Sequence, residues 1–208
     1  KTVLMGVNED AMATCTVTSN GSCTTNAASP VAAIMSEYPG IKKAALTTVH
    51  GYTATQSLVD SPARGLDFRK ARAAAQNIIP STTGAAIAVT RALPELEGRF
   101  DGVAVRVPTI VGSLVDFTFL AKEFTSKEKV NEAFRNAAES DRWKDVLKVV
   151  DDDIVSSDVI GESYGAIVDL RFTQVVDRDL VKVFSWYDNE WGYVSTLVSH
   201  VIKMAGTL

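Results

Sequence analysis

Apolar positions repeat with the period of a helix in several parts of the chain. The first repeat runs from Ala27 to Tyr38 and predicts an amphipathic helix that ends before Pro39. Pro30 lies inside this repeat, so the regular helix either begins near Asn26 or bends at the proline. Later helices are predicted at Thr83–Leu93, at Lys127–Ala138 with Ser126 as its cap, and at Val194–Met204.

Runs that alternate or are rich in β-branched residues predict strands between these helices. They lie at Lys1–Val7, Thr14–Thr18, Ile41–His50, Asp101–Val107, Ser113–Lys122, Ala166–Val176 and Leu180–Trp186, with a loop at Glu9–Ala13. Adjacent strands joined by short connections favour antiparallel pairing. Because helices do not strictly alternate with strands, we predict an α+β fold with a mostly antiparallel mixed sheet and helices packed on one face.

One long segment, Gly51–Pro80, has no strong period and contains Pro62, Gly65 and several basic residues. Irregular stretches of this length inside a compact domain are usually functional or form an interface. We therefore predict a loop there with one of these two roles.

Composition narrows the class of protein. The 208 residues are 46% hydrophobic and 22% charged, which excludes a disordered chain. There is no apolar run of the roughly 18 residues that a membrane span needs, and no long apolar segment typical of a leader. The net charge of −4 argues against nucleic acid as a partner. Two cysteines make no disulfide scaffold and are typical of a cytoplasmic protein.

Cys23 is the strongest candidate for a reactive side chain. It follows a turn at Asn20–Gly21 and directly precedes a predicted helix, where free amides and the helix dipole favour a thiolate. Small polar neighbours could cap the helix or bind an anion: Ser22, Thr24, Thr25 and Asn26. The alternative is a buried, inert cysteine, and Cys15 in its strand pattern is interpreted that way.

Other polar residues have two interpretations each. His50 ends a predicted strand and could be a base for Cys23 or a plain surface residue. Arg106, flanked by valines, needs a counter-anion that is either structural or a ligand. Thr82, Thr83 and Gly84 open a helix after Pro80, either as a phosphate cradle or as a simple cap. His200 is interpreted as solvated, and the Cys and His spacings match no zinc pattern, so no metal is predicted.

Five segments follow one another along the chain: SNGSCTTN, TTVHGYTATQ, AAQNIIPSTTGAA, FDGVAVRVPT and SWYDNEWGY. By composition alone, the last could be a core corner or an interface. Together they resemble the catalytic half of the phosphorylating glyceraldehyde-3-phosphate dehydrogenase family. The resemblance extends from about Gly6 to the last helix and therefore covers nearly the whole chain.

The resemblance implies roles for individual residues. Cys23 would be the nucleophile and His50 its activating base. The residues that would hold the substrate phosphate and inorganic phosphate are Ser22, Thr24, Thr83, Gly84 and Arg106, with Thr53 as a further anion contact. Asn189 would fix the nicotinamide amide of NAD, and Tyr193 would lie near it.

The resemblance also implies a division of the chain into parts. Residues 1–20 would be the tail end of a cofactor domain and the lead-in, 51–80 an S-loop between subunits, and 194–206 a C-terminal helix that docks on the cofactor domain. The family's Rossmann fingerprint, G-x-G-x-x-G, is missing here. We therefore expect 1–208 to be an isolated catalytic domain. Ala27 replaces a second family cysteine that the mechanism does not need.

The function implied is NAD-dependent oxidative phosphorylation of glyceraldehyde 3-phosphate to 1,3-bisphosphoglycerate, through a thioester on Cys23. The family works as a cytoplasmic tetramer, and this chain alone is expected to be inactive. Three alternatives stay open: erythrose-4-phosphate dehydrogenase, a cofactor-free cysteine acyltransferase or hydrolase, and a non-enzymatic interaction module.

Overall fold

The computed structural model describes residues 1–63 and 67–206. Its four α-helices are α1 (Cys23–Glu37), α2 (Ala85–Ala92), α3 (Lys127–Glu139) and α4 (Trp191–Ala205). Its strands are β1 (Ile41–Gly51), β2 (Ile79–Thr82), β3 (Phe100–Val107), β4 (Ser113–Ala121), β5 (Leu147–Val150), β6 (Ala166–Val176) and β7 (Leu180–Tyr187). Short 3-10 helices lie at Glu9–Thr14, Phe68–Ala71, Pro94–Leu96 and Ser156–Val159.

The strands of the described residues form a single mixed sheet in the order β2-β3-β1-β4-β7-β6-β5. The pairs β1–β3 and β5–β6 are parallel, and the four other neighbouring pairs are antiparallel. Helix α1 contacts β1, β4, β6 and β7 together with the three other helices, so the helices share one face of the sheet. The predicted α+β fold with a mostly antiparallel mixed sheet is confirmed.

The core lies between α1 and the inner face of the sheet. Side chains along α1 are almost completely buried, Val31 and Met35 included, and many are small: Ala27, Ala28, Ala32 and Ala33. Small side chains let the helix approach the strands closely, where Phe117 and Phe119 of β4 fill the space. A helix held on all sides fixes the position of its N-terminus, and that end carries Cys23.

On the inner face of the sheet, three neighbouring strands change from apolar to polar residues toward one of their ends. Val181 and Val183 of β7 are followed, on the same face, by buried Ser185 and Tyr187. Strand β1 likewise ends in buried Thr48 and His50, and antiparallel β4 begins there with buried Ser113. Buried polar groups need hydrogen-bond partners, so the polar side chains at these strand ends must bond to one another or to α1.

The N-terminal predictions are wrong. Neither Lys1–Val7 nor Thr14–Thr18 forms a strand. An isolated bridge joins Thr2 to Ser19, just after the second segment, and a 3-10 helix replaces the predicted loop at Glu9–Ala13. Asn8 explains part of this, because its side chain accepts from the Leu4 amide and donates to the Thr2 carbonyl. Such local bonds occupy backbone groups that a strand would use.

The segment before α1 packs on α4 and changes the interpretation of His200. This residue is 4% exposed, not solvated, and its Nε2 lies 2.8 Å from Thr18 Oγ1. Asn20 donates to Thr196 of α4 nearby, and Lys203 pairs with Glu9. The face of α4 that carries Thr196 and His200 is polar, and the segment that covers it is polar too. Hydrophobic periodicity therefore could not predict that this face is buried.

Two helices begin earlier than predicted because polar side chains cap them. Helix α1 starts at Cys23, not near Asn26, and continues through Pro30. Helix α4 starts at Trp191 instead of Val194, since Asp188 Oδ1 accepts from the amides of Glu190 and Trp191. Four-residue strands β2 and β5, which we did not predict, form at the two edges of the sheet by pairing with β3 and β6.

The segment Gly51–Pro80 is largely irregular, as predicted, apart from its 3-10 helix and the start of β2. It folds back on itself: the Ser57 amide donates to the Lys70 carbonyl, and the Ala74 amide to the Ser57 carbonyl. Arg64, Gly65 and Leu66 lie outside the described residues, as do Thr207 and Leu208 at the end of the predicted domain.

Candidate functional site

The turn before α1 presents Cys23 at the start of the helix. Ser22 is the N-cap, and its Oγ accepts from the Thr25 amide at 3.2 Å. Asn26 donates to the carbonyls of Asn20 and Ser22, which pins the turn from inside. Gly21 has a φ of +67°, a conformation that L side chains rarely adopt. The sequence thus specifies a rigid turn that leads the chain directly into Cys23.

His50 meets Cys23 at the carboxyl end of β1. The sulfur lies 3.4 Å from His50 Nε2, within hydrogen-bond reach. Strand β3 runs parallel to β1 with Arg106 directly beside His50 in register. Because the carboxyl ends of parallel strands lie on the same side of the sheet, His50 and Arg106 lie next to each other near the N-terminus of α1.

The Nδ1 atom of His50 faces two groups. It lies 2.6 Å from the Gly51 carbonyl and 2.6 Å from Arg106 Nη1, and Arg106 also donates to that carbonyl at 3.0 Å. Both contacts of Nδ1 cannot be hydrogen bonds in one tautomer. When Nδ1–H donates to Gly51, Nε2 is a bare acceptor aimed at the Cys23 thiol. That tautomer makes His50 a base for Cys23.

Burial sets the ionisation of the pair. It raises the pKa of Cys23 above its ordinary value, although the amide and hydroxyl of Thr24 and the charge of Arg106 lower it. Burial, with a smaller effect of Arg106, lowers the pKa of His50 from 6.5 to about 4. The helix N-terminus does favour the thiolate, as expected from the sequence, but desolvation outweighs it. The resting pair is a neutral thiol beside a neutral imidazole.

A cavity of about 400 Å³ opens in front of this pair. Its lining includes Thr25 and seven of the ten residues to which the resemblance gives roles: Ser22, Cys23, Thr24, His50, Thr83, Gly84 and Arg106. Strand β2 leads the chain to Thr83, whose Oγ1 accepts from the Ala85 amide at the start of α2. The N-termini of α1 and α2 thus face the same cavity, and both ends carry partial positive charge.

Among the described residues, the lining contains two arginines and no acidic side chain. Arg106 was expected there, but Arg91 of α2 was missed. The signal that could have found it is its spacing, since Arg91 lies seven residues, or two helical turns, after Gly84 and on the same face. In a chain with a net charge of −4, this cavity is a local site of positive potential.

Three other residues singled out from the sequence lie outside the lining of this cavity. Thr53 follows β1, and its Oγ1 lies 3.1 Å from Thr55 Oγ1. The Oδ1 atom of Asn189 accepts from the Gly112 amide and the Ser113 hydroxyl, which leaves its Nδ2 amide as the donor end. Tyr193 of α4 donates its hydroxyl to the Gly21 carbonyl.

Outside Arg64–Leu66 and the last two positions, no group of three or more His, Cys, Asp or Glu side chains is placed to hold a metal ion. Within the same part of the chain, no helix has the length and apolar character needed to cross a membrane.

The fold and cavity define a class of protein: an α+β domain that presents a thiol–imidazole pair to a cationic cavity lined by hydroxyls. Comparison with known proteins identifies the family. Residues 22–189 match the family described as "Glyceraldehyde 3-phosphate dehydrogenase, C-terminal domain". The chain belongs to this family, and the resemblance drawn from the five segments is confirmed.

Whole relatives support the same assignment. The chain is 44% identical over 209 residues to a glyceraldehyde-3-phosphate dehydrogenase of Streptomyces coelicolor, covering 100% of the chain and 62% of that protein. It is 44% identical to the enzyme so named from Mycobacterium tuberculosis, covering 100% of the chain and 60% of the relative. For Borreliella burgdorferi the identity is 44%, with coverages of 98% and 61%. The chain therefore spans about 60% of the length of these relatives.

Proposed function

We propose that this chain is the catalytic part of a cytoplasmic, glycolytic dehydrogenase that converts glyceraldehyde 3-phosphate and inorganic phosphate to 1,3-bisphosphoglycerate. The observation that carries the proposal is the 3.4 Å contact between Cys23 Sγ and His50 Nε2, in a cavity whose described lining has two arginines and no acidic side chain. A nucleophile beside a base suits acyl chemistry. Both substrates are anions, which suits the arginines and hydroxyls.

The first step uses the neutral pair as it stands. His50 Nε2 takes the thiol proton while the sulfur of Cys23 attacks the aldehyde carbon, and the proton then passes to the aldehyde oxygen, giving a hemithioacetal. Next, His50 takes the hydroxyl proton as the hydride leaves, so that a thioester remains on Cys23. Phosphate attacks this thioester, the acyl–sulfur bond breaks, and the product leaves as an acyl phosphate with the Cys23 sulfur regenerated.

Anion binding would change the charge around His50. Ser22, Thr24, Thr83, Gly84 and Arg106 are the proposed phosphate-binding groups, and Thr53 a further contact at the end of β1. A phosphate that draws Arg106 toward the cavity weakens its contact with His50 Nδ1. Arg106 lowers the pKa of His50, so the imidazole becomes a stronger base when substrate is bound.

The residues at the edge of the site fit NAD. Asn189 Oδ1 is already held by two donors, so the orientation of its amide is fixed and Nδ2 is presented as a donor for the nicotinamide carboxamide oxygen. Tyr193 is anchored on the turn before Cys23 and would lie near it. NAD accepts the hydride when bound, and its main binding domain is proposed to lie in the part of the relatives that this chain does not span.

Other parts of the proposal concern assembly. Residues 1–20 would lead in from the cofactor domain, 51–80 would pack between subunits of a homotetramer, and the helix at the end of the chain would dock on the cofactor domain. Large apolar side chains of α4 are indeed exposed: Trp191, Val194, Val198, Val201 and Ile202. Without that domain we expect this chain to show no meaningful dehydrogenase turnover.

Acyl transfer tests the proposal without NAD. Incubation with 1,3-bisphosphoglycerate should transfer the acyl group to Cys23 and release phosphate, which intact-mass and peptide mass spectrometry detect. Cys23→Ala should abolish the adduct, and Cys15→Ala is the matched control that should keep it. His50→Gln should slow acylation by about a hundredfold or more. Acylation of Cys15 at an equal rate, or none at all, would overturn the proposal.

The same preparation separates the alternatives. A cofactor-free hydrolase would release the acyl group to water as fast as to phosphate, whereas a phosphorylating enzyme needs phosphate for rapid release. An interaction module would show a Cys23 no more reactive than free cysteine. Erythrose-4-phosphate dehydrogenase would be recognised by relative rates on the two aldehydes, measured with the full-length protein.

A further inference from the structure

A single buried hydroxyl joins the helix that carries Cys23 to the strand that carries His50. Tyr187, the last residue of β7, is 1% exposed. Its hydroxyl oxygen lies 2.9 Å from Thr24 Oγ1, on the residue after Cys23, and 2.9 Å from Thr48 Oγ1, two residues before His50. Because residues two apart in a strand share a face, Thr48 and His50 project to the same side of β1.

The ring of Tyr187 also contacts His50. The two ring centroids are 5.8 Å apart with an interplanar angle of 75°, an edge-on arrangement. The Tyr187 hydroxyl thus connects α1 to β1 by hydrogen bonds, and its ring limits the position of the His50 imidazole. Because Tyr187 is 1% exposed, bulk solvent does not reach its hydroxyl.

The hydrogen bonds of this array have a preferred direction. A threonine hydroxyl has only one proton to donate. Thr24 directly follows Cys23 at the start of α1, and its hydroxyl is one of the groups that lower the pKa of Cys23, as expected of a proton directed at the sulfur. Thr24 then accepts from Tyr187, and Tyr187 in turn accepts from Thr48, because the Ser113 hydroxyl already donates its one proton to Asn189 Oδ1.

We propose that Tyr187 is a positioning residue whose hydroxyl donates to Thr24, aims the Thr24 proton at the Cys23 sulfur and so stabilises the thiolate form. The series of hydrogen bonds would run from Thr48 through Tyr187 and Thr24 to the sulfur. The purpose of this role rests on the proposed function, since a thiolate is the attacking species there. The effect itself is a property of Cys23 and can be measured with no substrate.

The test is the pH profile of alkylation of Cys23 by iodoacetamide, followed by peptide mass spectrometry with Cys15 as an internal reference. In Tyr187→Phe the midpoint should rise by about half a unit to one unit, which makes alkylation about three- to tenfold slower below the midpoint. Tyr38→Phe is the matched control. It removes a tyrosine hydroxyl that bonds to Thr125 beyond the other end of α1, and it should leave the midpoint unchanged.

Thr24 variants separate positioning from general loss of packing. Thr24→Val should raise the midpoint as Tyr187→Phe does, Thr24→Ser should keep the wild-type value, and the double variant should shift it no further than Thr24→Val alone. If Tyr187→Phe moves nothing, or if the two shifts add in full, the proposal is overturned. If the phenylalanine variant does not fold, 3-fluorotyrosine at position 187, a stronger donor of similar shape, should lower the midpoint, and an unchanged midpoint overturns the proposal.

These outcomes are independent of acyl transfer. A midpoint shift without acylation of Cys23 would remove the proposed function and keep the role of Tyr187. Acylation with no midpoint shift would do the reverse.

Discussion

The sulfur of Cys23 lies 3.4 Å from Nε2 of His50, although the two residues are 27 positions apart in the chain. This contact exists because α1 begins beside the carboxyl end of β1. Both groups are largely removed from water there, and burial favours the neutral form of each. The site is therefore a hydrogen-bonded thiol and imidazole ready for proton transfer, with the positive charge supplied by Arg106.

Acid should destabilise the fold through His50. Its pKa is 6.5 as an ordinary value and about 4 in the folded chain, so between these values the unfolded chain binds a proton that the folded chain does not. The free energy of unfolding should be fully retained above pH 6.5 and should fall by up to about 3 kcal/mol as the pH drops through the folded pKa. Urea unfolding across this window measures the loss, and His50→Gln should show a shallower dependence. An equal slope in both proteins would contradict the prediction.

Arg106→Gln should raise the pKa of His50, because the charge of Arg106 lowers it. An NMR titration of the imidazole measures this directly. The same variant should lose the protection that inorganic phosphate gives Cys23 against iodoacetamide. Arg91→Gln is the control: it lines the same cavity, and no hydrogen bond joins it to His50 within the described residues. It should weaken protection without moving the titration of His50, and phosphate protection that survives in Arg106→Gln would count against an anion site.

Gly112→Ala should destabilise the fold and disturb Asn189. Gly112 has a φ of +96°, and an added Cβ would lie 2.3 Å from the Ser156 carbonyl oxygen. Its amide also donates to Asn189 Oδ1. We expect a loss of about 1–3 kcal/mol in urea unfolding. Gly98→Ala is the matched control, with a φ of +70° and nothing within 4 Å of the added atom, so it isolates the cost of the backbone conformation. Equal losses in the two variants would contradict the steric argument.

Ser22→Ala and Ser126→Ala compare two helix caps. Ser22 Oγ accepts from the Thr25 amide at the start of α1, and Ser126 Oγ accepts from the Lys129 amide at the start of α3. Each replacement should cost about 1 kcal/mol of stability in urea unfolding. Only Ser22→Ala should change the rate at which Cys23 is alkylated, because only that turn positions the thiol. A similar change in both variants would show that alkylation reports general loosening of the fold.

Periodicity along the chain was enough to predict most of the core elements. Strands β1, β3, β4, β6 and β7 and the four helices were all expected, with differences of a few residues at their ends. Most of these elements bury one face more than the other, so their pattern is local and visible in the sequence, whereas α1 is buried on nearly every side. Cys23 at a helix start, His50 at a strand end and Arg106 at the end of another strand were visible for the same reason.

Tertiary structure decided what depends on a neighbour distant in sequence. The segment before Cys23 forms no strand because side chains such as Asn8 bind its backbone, and β2 and β5 exist only through their partners β3 and β6. His200 is buried because that segment covers it. None of these features has a period of its own.

The chemistry of the site shows the same division. The residue types at Cys23 and His50, with the helix dipole, could be read from the sequence and suggested a thiolate. Packing favours the neutral form of the pair. It also brings Arg91 into the cavity and places the Tyr187 hydroxyl between α1 and β1. Burial depends on which elements surround a group in space, and a desolvation energy that outweighs a helix dipole is therefore set only when α1 and the sheet close around the pair.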